Sequence, residues 1–466
     1  MIGALLATAA ERWSERAFVV DGAGGGASFA AVDERARRAA GGLLARGVVP
    51  GDRVALMASP SVDFVAAWFG ITLSGATVVP IPTVAAAPEV AQRLAHARCR
   101  LLLGDEDLAA LQLAPPLRSL PAVADQAPAM ILYTSGTTDR ARAAAFSHAS
   151  LLTHTRQVAR TVGLGAGDVV LGALPLTHSF GCRMVMLLAL ASGARVVLMR
   201  RFDAAAALRL LDDEGVTFWP AVPTMLAAVC AIGGPPPRAL GWVLSAGAPL
   251  PDALCRRAEQ RLGCSVRQGY GLTEASFSTI DAPPAARVVG SVGRPVAGVE
   301  LRLVDGEIEV RGAHRMLGYV DDEVATRAAL DDGWLRTGDV GRLDDDGRLW
   351  IVDRTKDLII RGGNNVYPSE VESALAAHPA VAEVAVVGRP DDYFGEEVVA
   401  VLVLRPQQSA SPEELATFAR ARIASTKVPR HYAFVDALPL GPSGKVLKRA
   451  LKEQLRDGRL PTVTPA

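Results

Sequence analysis

Between Ser28 and Pro80, short apolar runs alternate with segments of helical spacing. Val32, Ala36, Ala39, Leu43 and Leu44 recur near every 3.6 residues and stop at Gly47, which predicts an amphipathic helix. Val54 to Met57 reads as a short strand, and a second helical segment starts at Val62. The alternation continues through Leu101–Leu103, Met130–Tyr133, Val169–Leu171, Val196–Leu198 and Val243–Leu244. Runs without an intervening polar position suit strands covered on both faces, so this part of the chain is expected to be α/β, with parallel and mixed sheets covered by helices. The uncharged stretch Phe64 to Ala87 has the length of a membrane span. Gly70, Gly75, Pro80 and Pro82 interrupt it, so a buried helix running into a buried strand is the better reading.

Beyond Asp339 the texture changes to tighter strand pairs. In Gly341-Arg-Leu-Asp-Asp-Asp-Gly-Arg-Leu-Trp-Ile-Val, an Asp-Gly step between alternating residues predicts a hairpin. Ser369–Ala376 and Pro412–Ile423 read as helices, and Val384–Val387, Val398–Leu404 and Tyr432–Val435 as strands. The expected organisation is a large N-terminal domain over residues 1–353 and a small, mobile α+β C-terminal domain over residues 354–466. The glycine run Gly22–Gly26 neither follows a convincing strand nor opens a helix, and is expected to be a flexible surface loop.

Charge narrows the partners. The 466 residues carry 49 Lys and Arg against 49 Asp and Glu, with no surplus for neutralising nucleic-acid phosphates, so no nucleic-acid partner is expected. The five cysteines, Cys99, Cys182, Cys230, Cys255 and Cys264, lack metal-ligand spacing and read as small buried hydrophobes in a reducing compartment. Met1 to Arg12 lacks a basic leader start, so a cytoplasmic protein without a transmembrane segment is expected.

Four segments carry candidate chemistry. A buried strand at Met130 opens into Thr134-Ser135-Gly136-Thr137-Thr138, with Arg142 beyond, and such a loop can aim N–H and hydroxyl donors at a polyphosphate; a polar turn is the alternative. In Gln268-Gly-Tyr-Gly-Leu-Thr-Glu, Gly269 and Gly271 allow close backbone approach to a flat ligand. Tyr270 offers a stacking face and Glu274 could hold a hard cation such as Mg²⁺, unless this is a tight turn with a surface glutamate. Thr337-Gly-Asp-Val is followed by Asp353-Arg-Thr-Lys-Asp and Gly362-Gly-Asn-Asn-Val-Tyr-Pro. Near the C-terminus, Gly441-Pro-Ser-Gly-Lys445 places a long cation on a loop that does not fit a Walker A motif.

In order and spacing, Tyr133-Thr-Ser-Gly-Thr-Thr, Pro175-Leu-Thr-His-Ser-Phe-Gly, Gly269-Tyr-Gly-Leu-Thr-Glu, Thr337-Gly-Asp, Asp353-Arg-Thr-Lys-Asp and Pro442-Ser-Gly-Lys resemble the adenylate-forming (AMP-binding) superfamily over nearly the whole chain. Gly333-Trp-Leu-Arg-Thr-Gly-Asp-Val-Gly and the segment from Ile359 resemble fatty-acyl-CoA ligases in particular. The resemblance implies an enzyme that activates a carboxylic acid, expected to be a medium- or long-chain fatty acid, with ATP and Mg²⁺ to acyl-AMP and pyrophosphate. It then transfers the acyl group to CoA. Two alternatives stay open: delivery to the pantetheine of an acyl carrier protein, and a degenerate nucleotide- or acyl-binding protein.

By the same resemblance, Thr134–Thr138 and Arg142 grip the phosphates, Thr273 touches the α-phosphate, and Glu274 with Thr138 binds the metal. Tyr270 stacks on adenine beside Ala246, Gly247 and Ala248, between Gly269 and Gly271, while Asp339 and Arg354 hold the ribose. Lys445 bridges the acid and the α-phosphate, His178 lies near the carboxylate, Lys356 is the hinge, and Gly362 and Gly363 belong to the pantetheine tunnel. His178 has a second reading as a satisfied core histidine. Arg183 is either a surface or ion-paired arginine or, pointing toward the acyl pocket, a partner for a second carboxylate on the substrate. One departure stands out: where the family's phosphate loop continues Gly-x-Pro-Lys-Gly, this chain has Asp139, Arg140, Ala141, Arg142 and Ala143.

Overall fold

The computed structural model describes residues 1–22, 25–134, 142–440 and 446–465, without the Lys356 side chain. Its largest sheet has nine strands. Ala17–Asp21, Arg195–Leu198, Val169–Gly172, Phe218–Ala221, Trp242–Ser245 and Ser265–Leu272 run parallel, and antiparallel Gly26–Ser28 and Ser276–Ile280 with Arg294–Pro295 flank them. A six-stranded sheet has the order Gly318–Tyr319, Ala143–Ser147, Pro128–Tyr133, Thr77–Pro80, Arg53–Leu56, Leu101–Leu103. The expected α/β architecture is thus present, and each apolar run singled out before Asp339 falls on a strand of these two sheets, with Met57 alone just past its strand's end.

Phe64 to Ala87 supplies the buried helix Val62–Leu73 and the buried strand Thr77–Pro80. Ser61 caps that helix, accepting the Phe64 amide at 3.1 Å, and Gly70 lets it lie against Phe29–Ala45, where a Cβ would stand 2.6 Å from Ala39 Cβ. Among the described residues no helix is long and apolar enough to cross a membrane. The glycine run lies between paired strands, and its residues 23 and 24 are outside the described residues. It joins Ala17–Asp21 to Gly26–Ser28 as a hairpin, with the Asp21 amide on the Gly25 carbonyl and the Gly25 amide on Asp21 Oδ1, both at 2.8 Å.

A third sheet follows. Val299–Val304 pairs with Glu307–Gly312, which pairs with Trp334–Leu343, and Leu349–Arg354 closes the hairpin expected at Asp344–Gly347. One apolar core runs from Ile2 to Leu349. Separate clusters from Ile359 to Leu460 cover the two faces of the last sheet, which is built from Asn364–Val366, Ile359–Arg361, Gly395–Leu404, Val381–Asp391 and His431–Phe434. Lys356 lies in the 3-10 turn Thr355–Asp357 between the third and last sheets. All five cysteines are free and at least half-buried, and burial raises the Cys99 and Cys255 thiols to about 11 and those of Cys182 and Cys264 to about 12.

Candidate active site

The C-terminal ends of the central parallel strands meet the third sheet, and the motif residues gather there. Trp242–Ser245 ends at Ala246, Gly247 and Ala248, and its neighbour Ser265–Leu272 carries Gly269, Tyr270 and Gly271 toward Thr273 and Glu274. Gly247 has φ +86°, a left-handed conformation suited to glycine. The close approach that Gly269 and Gly271 permit turns out to be that of the chain itself. A Cβ at Gly271 would sit 1.9 Å from the Ser276 carbonyl, and one at Gly269 would sit 2.8 Å from the Phe277 ring.

Buried Tyr270 donates its hydroxyl to Asp339 Oδ2 at 2.7 Å, and Arg354 Nε donates to Asp339 Oδ1 at 2.8 Å. Asp339 and Arg354 face each other across the antiparallel pair of the third sheet, so backbone register alone brings them together. Burial, reinforced by the Asp339 charge, pushes the Tyr270 phenol well up and keeps it a donor. Burial works against the Arg354 charge, but Asp339 more than offsets this and raises its pKa. The Asp339 amide is itself held by Thr337 Oγ1 at 3.1 Å, and that hydroxyl donates to the Ile308 carbonyl at 2.7 Å.

A second constellation lies at the described ends, Thr134 and Arg142, of the segment the motifs assign to phosphate. The ends of the loop are tied: the Thr134 amide donates to the Arg142 carbonyl at 2.8 Å, and the Arg142 amide donates to Thr134 Oγ1 at 3.2 Å. Ser135, Gly136, Thr137, Thr138, Asp139, Arg140 and Ala141 lie outside the described residues. The Arg142 guanidinium stands 5.3 Å from the Tyr319 ring centroid and 3.8 Å from Asp322 Oδ2. Tyr319 in turn donates its hydroxyl to Glu274 Oε1 at 2.8 Å, and burial with the Glu274 charge raises its pKa. Tyr319 is a site residue that sequence reasoning missed. It reaches the loop because Gly318–Tyr319 adds an edge strand beside Ala143–Ser147, pairing across a long stretch of chain that no local signal announces.

His178 is exposed rather than a core histidine, and its Nδ1 accepts the Phe180 amide at 3.2 Å where a helix begins at Ser179. Arg183, on the same helical segment, is not at the surface and has no ion pair among the described residues. It is 4 % exposed, and among the described residues none of its three guanidinium nitrogens has a hydrogen-bond partner.

Farther along, Gly362 (φ +55°) and Gly363 (φ +80°) form the two-residue tip of the hairpin Ile359–Arg361 to Asn364–Val366. Two successive positive φ angles are what such tight turns require. Lys445 lies outside the described residues; the segments flanking its loop are joined by the bridge Leu440↔Val446 and by the Leu447 amide on the Pro439 carbonyl at 2.8 Å.

Two groups of motif residues thus meet among the described residues, Tyr270 with Asp339 and Arg354, and Glu274 with Arg142 through Tyr319, and comparison with known proteins gives the chain a family. The model of the AMP-binding enzyme matches residues 6–320, and that of the AMP-binding enzyme C-terminal domain matches residues 370–445. The chain belongs to the AMP-binding enzyme family. Its AMP-forming CoA-ligase relatives support an ATP-dependent acyl-CoA synthetase, as the motifs imply. Among curated relatives, a fatty acid–[acyl-carrier-protein] ligase, ScoC, of Streptomyces coeruleorubidus is 34% identical over 92% of this chain and 91% of its own. The long-chain-fatty-acid–CoA ligase FadD13 of Mycobacterium tuberculosis is 34% identical over 92% and 93%. The solved o-succinylbenzoate CoA synthetase of Bacillus subtilis, in complex with its acyl-adenylate intermediate, superposes with a TM-score of 0.88 at 31% identity, covering 96% of this chain and 97% of that one.

Proposed function

We propose that this synthetase joins a medium- or long-chain fatty acid, or an acid with a similarly apolar body, to CoA. The acid's carboxylate oxygen attacks the α-phosphorus of ATP, the α–β bridge bond breaks and pyrophosphate leaves. The CoA thiol, losing its proton, then attacks the acyl carbon and AMP leaves. The observation that carries this reading is the pairing of Asp339 with both Tyr270 and Arg354, next to a phosphate loop tied to Glu274 through Arg142 and Tyr319.

In this reading Asp339 and Arg354 hold the ribose, and Tyr270 and the Ala246–Ala248 turn border adenine. Thr134, Arg142 and residues 135–138 hold the phosphates, with Thr273 at the α-phosphate. Glu274 fits Mg²⁺: a single carboxylate with one oxygen engaged by Tyr319 suits an ion that takes few protein ligands and completes its shell with phosphate oxygens and water, with Thr138 as a further ligand. Bound there, Mg²⁺ would neutralise phosphate charge. Lys445 supplies a fixed positive charge where charge builds up between acid and phosphate. We place the domain division at 353/354 and the hinge at Lys356, with Gly362 and Gly363 moving to the pantetheine tunnel for thioester formation.

The test is pyrophosphate release by the purified protein with ATP and Mg²⁺ across fatty, aryl and dicarboxylic acids, with and without CoA, with products identified by mass. Acid-dependent release ending in acyl-CoA is the expected result. Release that stops at acyl-AMP until a pantetheinylated carrier protein is added would move the acceptor to the one named for ScoC. Saturable ATP binding without release for any acid would reject the ligase reading.

A further inference from the structure

Arg183 sits where an unpaired charge is most costly. It lies in the π-helical turn Cys182–Leu187, all of whose residues are buried, and Nε, Nη1 and Nη2 all lack a hydrogen-bond partner among the described residues. Burial lowers its pKa only to about 10, so it remains a cation at neutral pH. Its nearest aromatic contact is the Phe146 ring, 4.4 Å from the guanidinium carbon, a weak substitute for a carboxylate. His154 and His314 lie beside it, stacked 5.4 Å apart, and burial together with neighbouring positive charge, including that of Arg183, holds both neutral. His154 Nε2 is engaged by the Phe277 carbonyl at 2.9 Å and His314 Nε2 by Ser278 Oγ at 3.1 Å, while His314 Nδ1 is buried without a partner. The described residues therefore give this guanidinium no counter-charge, and a second polar atom beside it is also unsatisfied. The π-helical turn is an independent sign, because such turns recur where a helix is reshaped to present a functional side chain.

The segment that carries Arg183 also carries His178, which the ligase reading places near the reacting carboxylate. The two are five positions apart, roughly 7 Å along a helix axis at its usual rise per residue. Between them Phe180 packs on Phe277, with ring centroids 5.1 Å apart, and borders Gly247. We propose that Arg183 binds a second carboxylate at the far end of the acid, so that the substrate is an α,ω-dicarboxylic acid whose apolar middle lies along these rings. The inference rests on the ligase reading and narrows its acid class. A guanidinium offering several buried donors matches a carboxylate in both charge and geometry.

The experiment compares matched pairs of acids, succinate against butyrate, adipate against hexanoate and suberate against octanoate, by pyrophosphate release and product mass. Wild type, Arg183→Met and Arg183→Lys are assayed, and each is melted with and without the acids. Wild type is expected to favour at least one dicarboxylate over its partner, and Arg183→Met to lose about 30-fold or more in kcat/KM for it, the scale of stranding a buried charge. Arg183→Met should also melt higher than wild type without ligand, because it removes a buried unpaired charge, whereas a structural ion-pair role would lower it. Dicarboxylates should raise the melting temperature of wild type only. Equal or better use of every monocarboxylate by wild type, or an unchanged preference in Arg183→Met, overturns the inference and leaves the ligase reading intact. No release with any acid removes both. Should neither variant fold, the wild-type comparison decides alone.

Discussion

Asp339 is the most heavily committed side chain of the site, accepting from Tyr270 and Arg354 with its two oxygens. Asp339→Asn keeps the shape but turns one oxygen into an amide donor facing one of two donors. It should weaken ATP binding by about tenfold or more, the usual cost of losing a charge-assisted hydrogen bond, as measured by titration calorimetry. Tyr319→Phe keeps the ring under Arg142 and removes the hydroxyl on Glu274. We expect it to lower acid-dependent pyrophosphate release by about tenfold, with the deficit shrinking as Mg²⁺ is raised if the hydroxyl positions Glu274 for the metal. Lys445→Ala should lower adenylation by about two to three orders of magnitude, and normal acyl-AMP formation in that variant would reject its assigned role. Buried His154 and His314 both have pKa values pushed below the ordinary histidine range, so below about pH 6.5 the unfolded chain binds protons that the folded chain refuses. Their contribution to stability is complete above that pH and is lost as pH falls, at about 1.4 kcal/mol per pH unit for each. Denaturant melts at pH 7, 6 and 5 measure it, and a flat profile would contradict the placement of these rings.

At the scale of elements, the helices and strands of the first half were legible because burial on both sides of a sheet writes itself as unbroken apolar runs such as Val54–Met57 and Val243–Leu244. That the motif residues Asp339 and Arg354 come together with Tyr270 was open to reading for a similar reason: Tyr270 lies near one strand end, and Asp339 and Arg354 form one tight pair. Val299–Val304 and Glu307–Gly312 were equally open to reading, with Asp305-Gly306 between alternating residues, yet that hairpin was not singled out. Tyr319 was not readable, because an edge strand of two residues has no period of its own and its partner strand lies far back in the chain. Arg183 was readable as a residue but not as a buried one, since nothing in Cys182-Arg-Met-Val-Met-Leu says which face the arginine occupies. Gly271 tests the packing reading of the glycines. With a Cβ only 1.9 Å from the Ser276 carbonyl, Gly271→Ala must push the two strands apart and should cost about 1–3 kcal/mol in urea unfolding before any effect on nucleotide is considered.

At the scale of the whole molecule, the large core from Ile2 to Leu349 and the clusters from Ile359 to Leu460 lie on either side of a short turn, and Leu349–Arg354 belongs by pairing to the sheet before it. A fragment ending at residue 358 therefore keeps Arg354 on Asp339, whereas one ending at residue 353 loses it. The longer fragment should bind ATP more tightly than the shorter, and neither should release pyrophosphate with acid, since both lack Lys445. Equal ATP affinity of the two would remove Arg354 from the nucleotide site. The same arrangement has a mechanical side. Arg354 is pinned to Asp339 at the last position of its strand, and the turn Thr355–Asp357 starts at the next residue. Under the hinge proposed at Lys356, a swing of the distal part would have to release the Ser369 amide from Asp353 Oδ2, 2.8 Å away, while the pairing of Arg354 with Asp339 stops the torsion before it travels back into the strand, as a bolted bearing lets a shaft rotate without moving its frame.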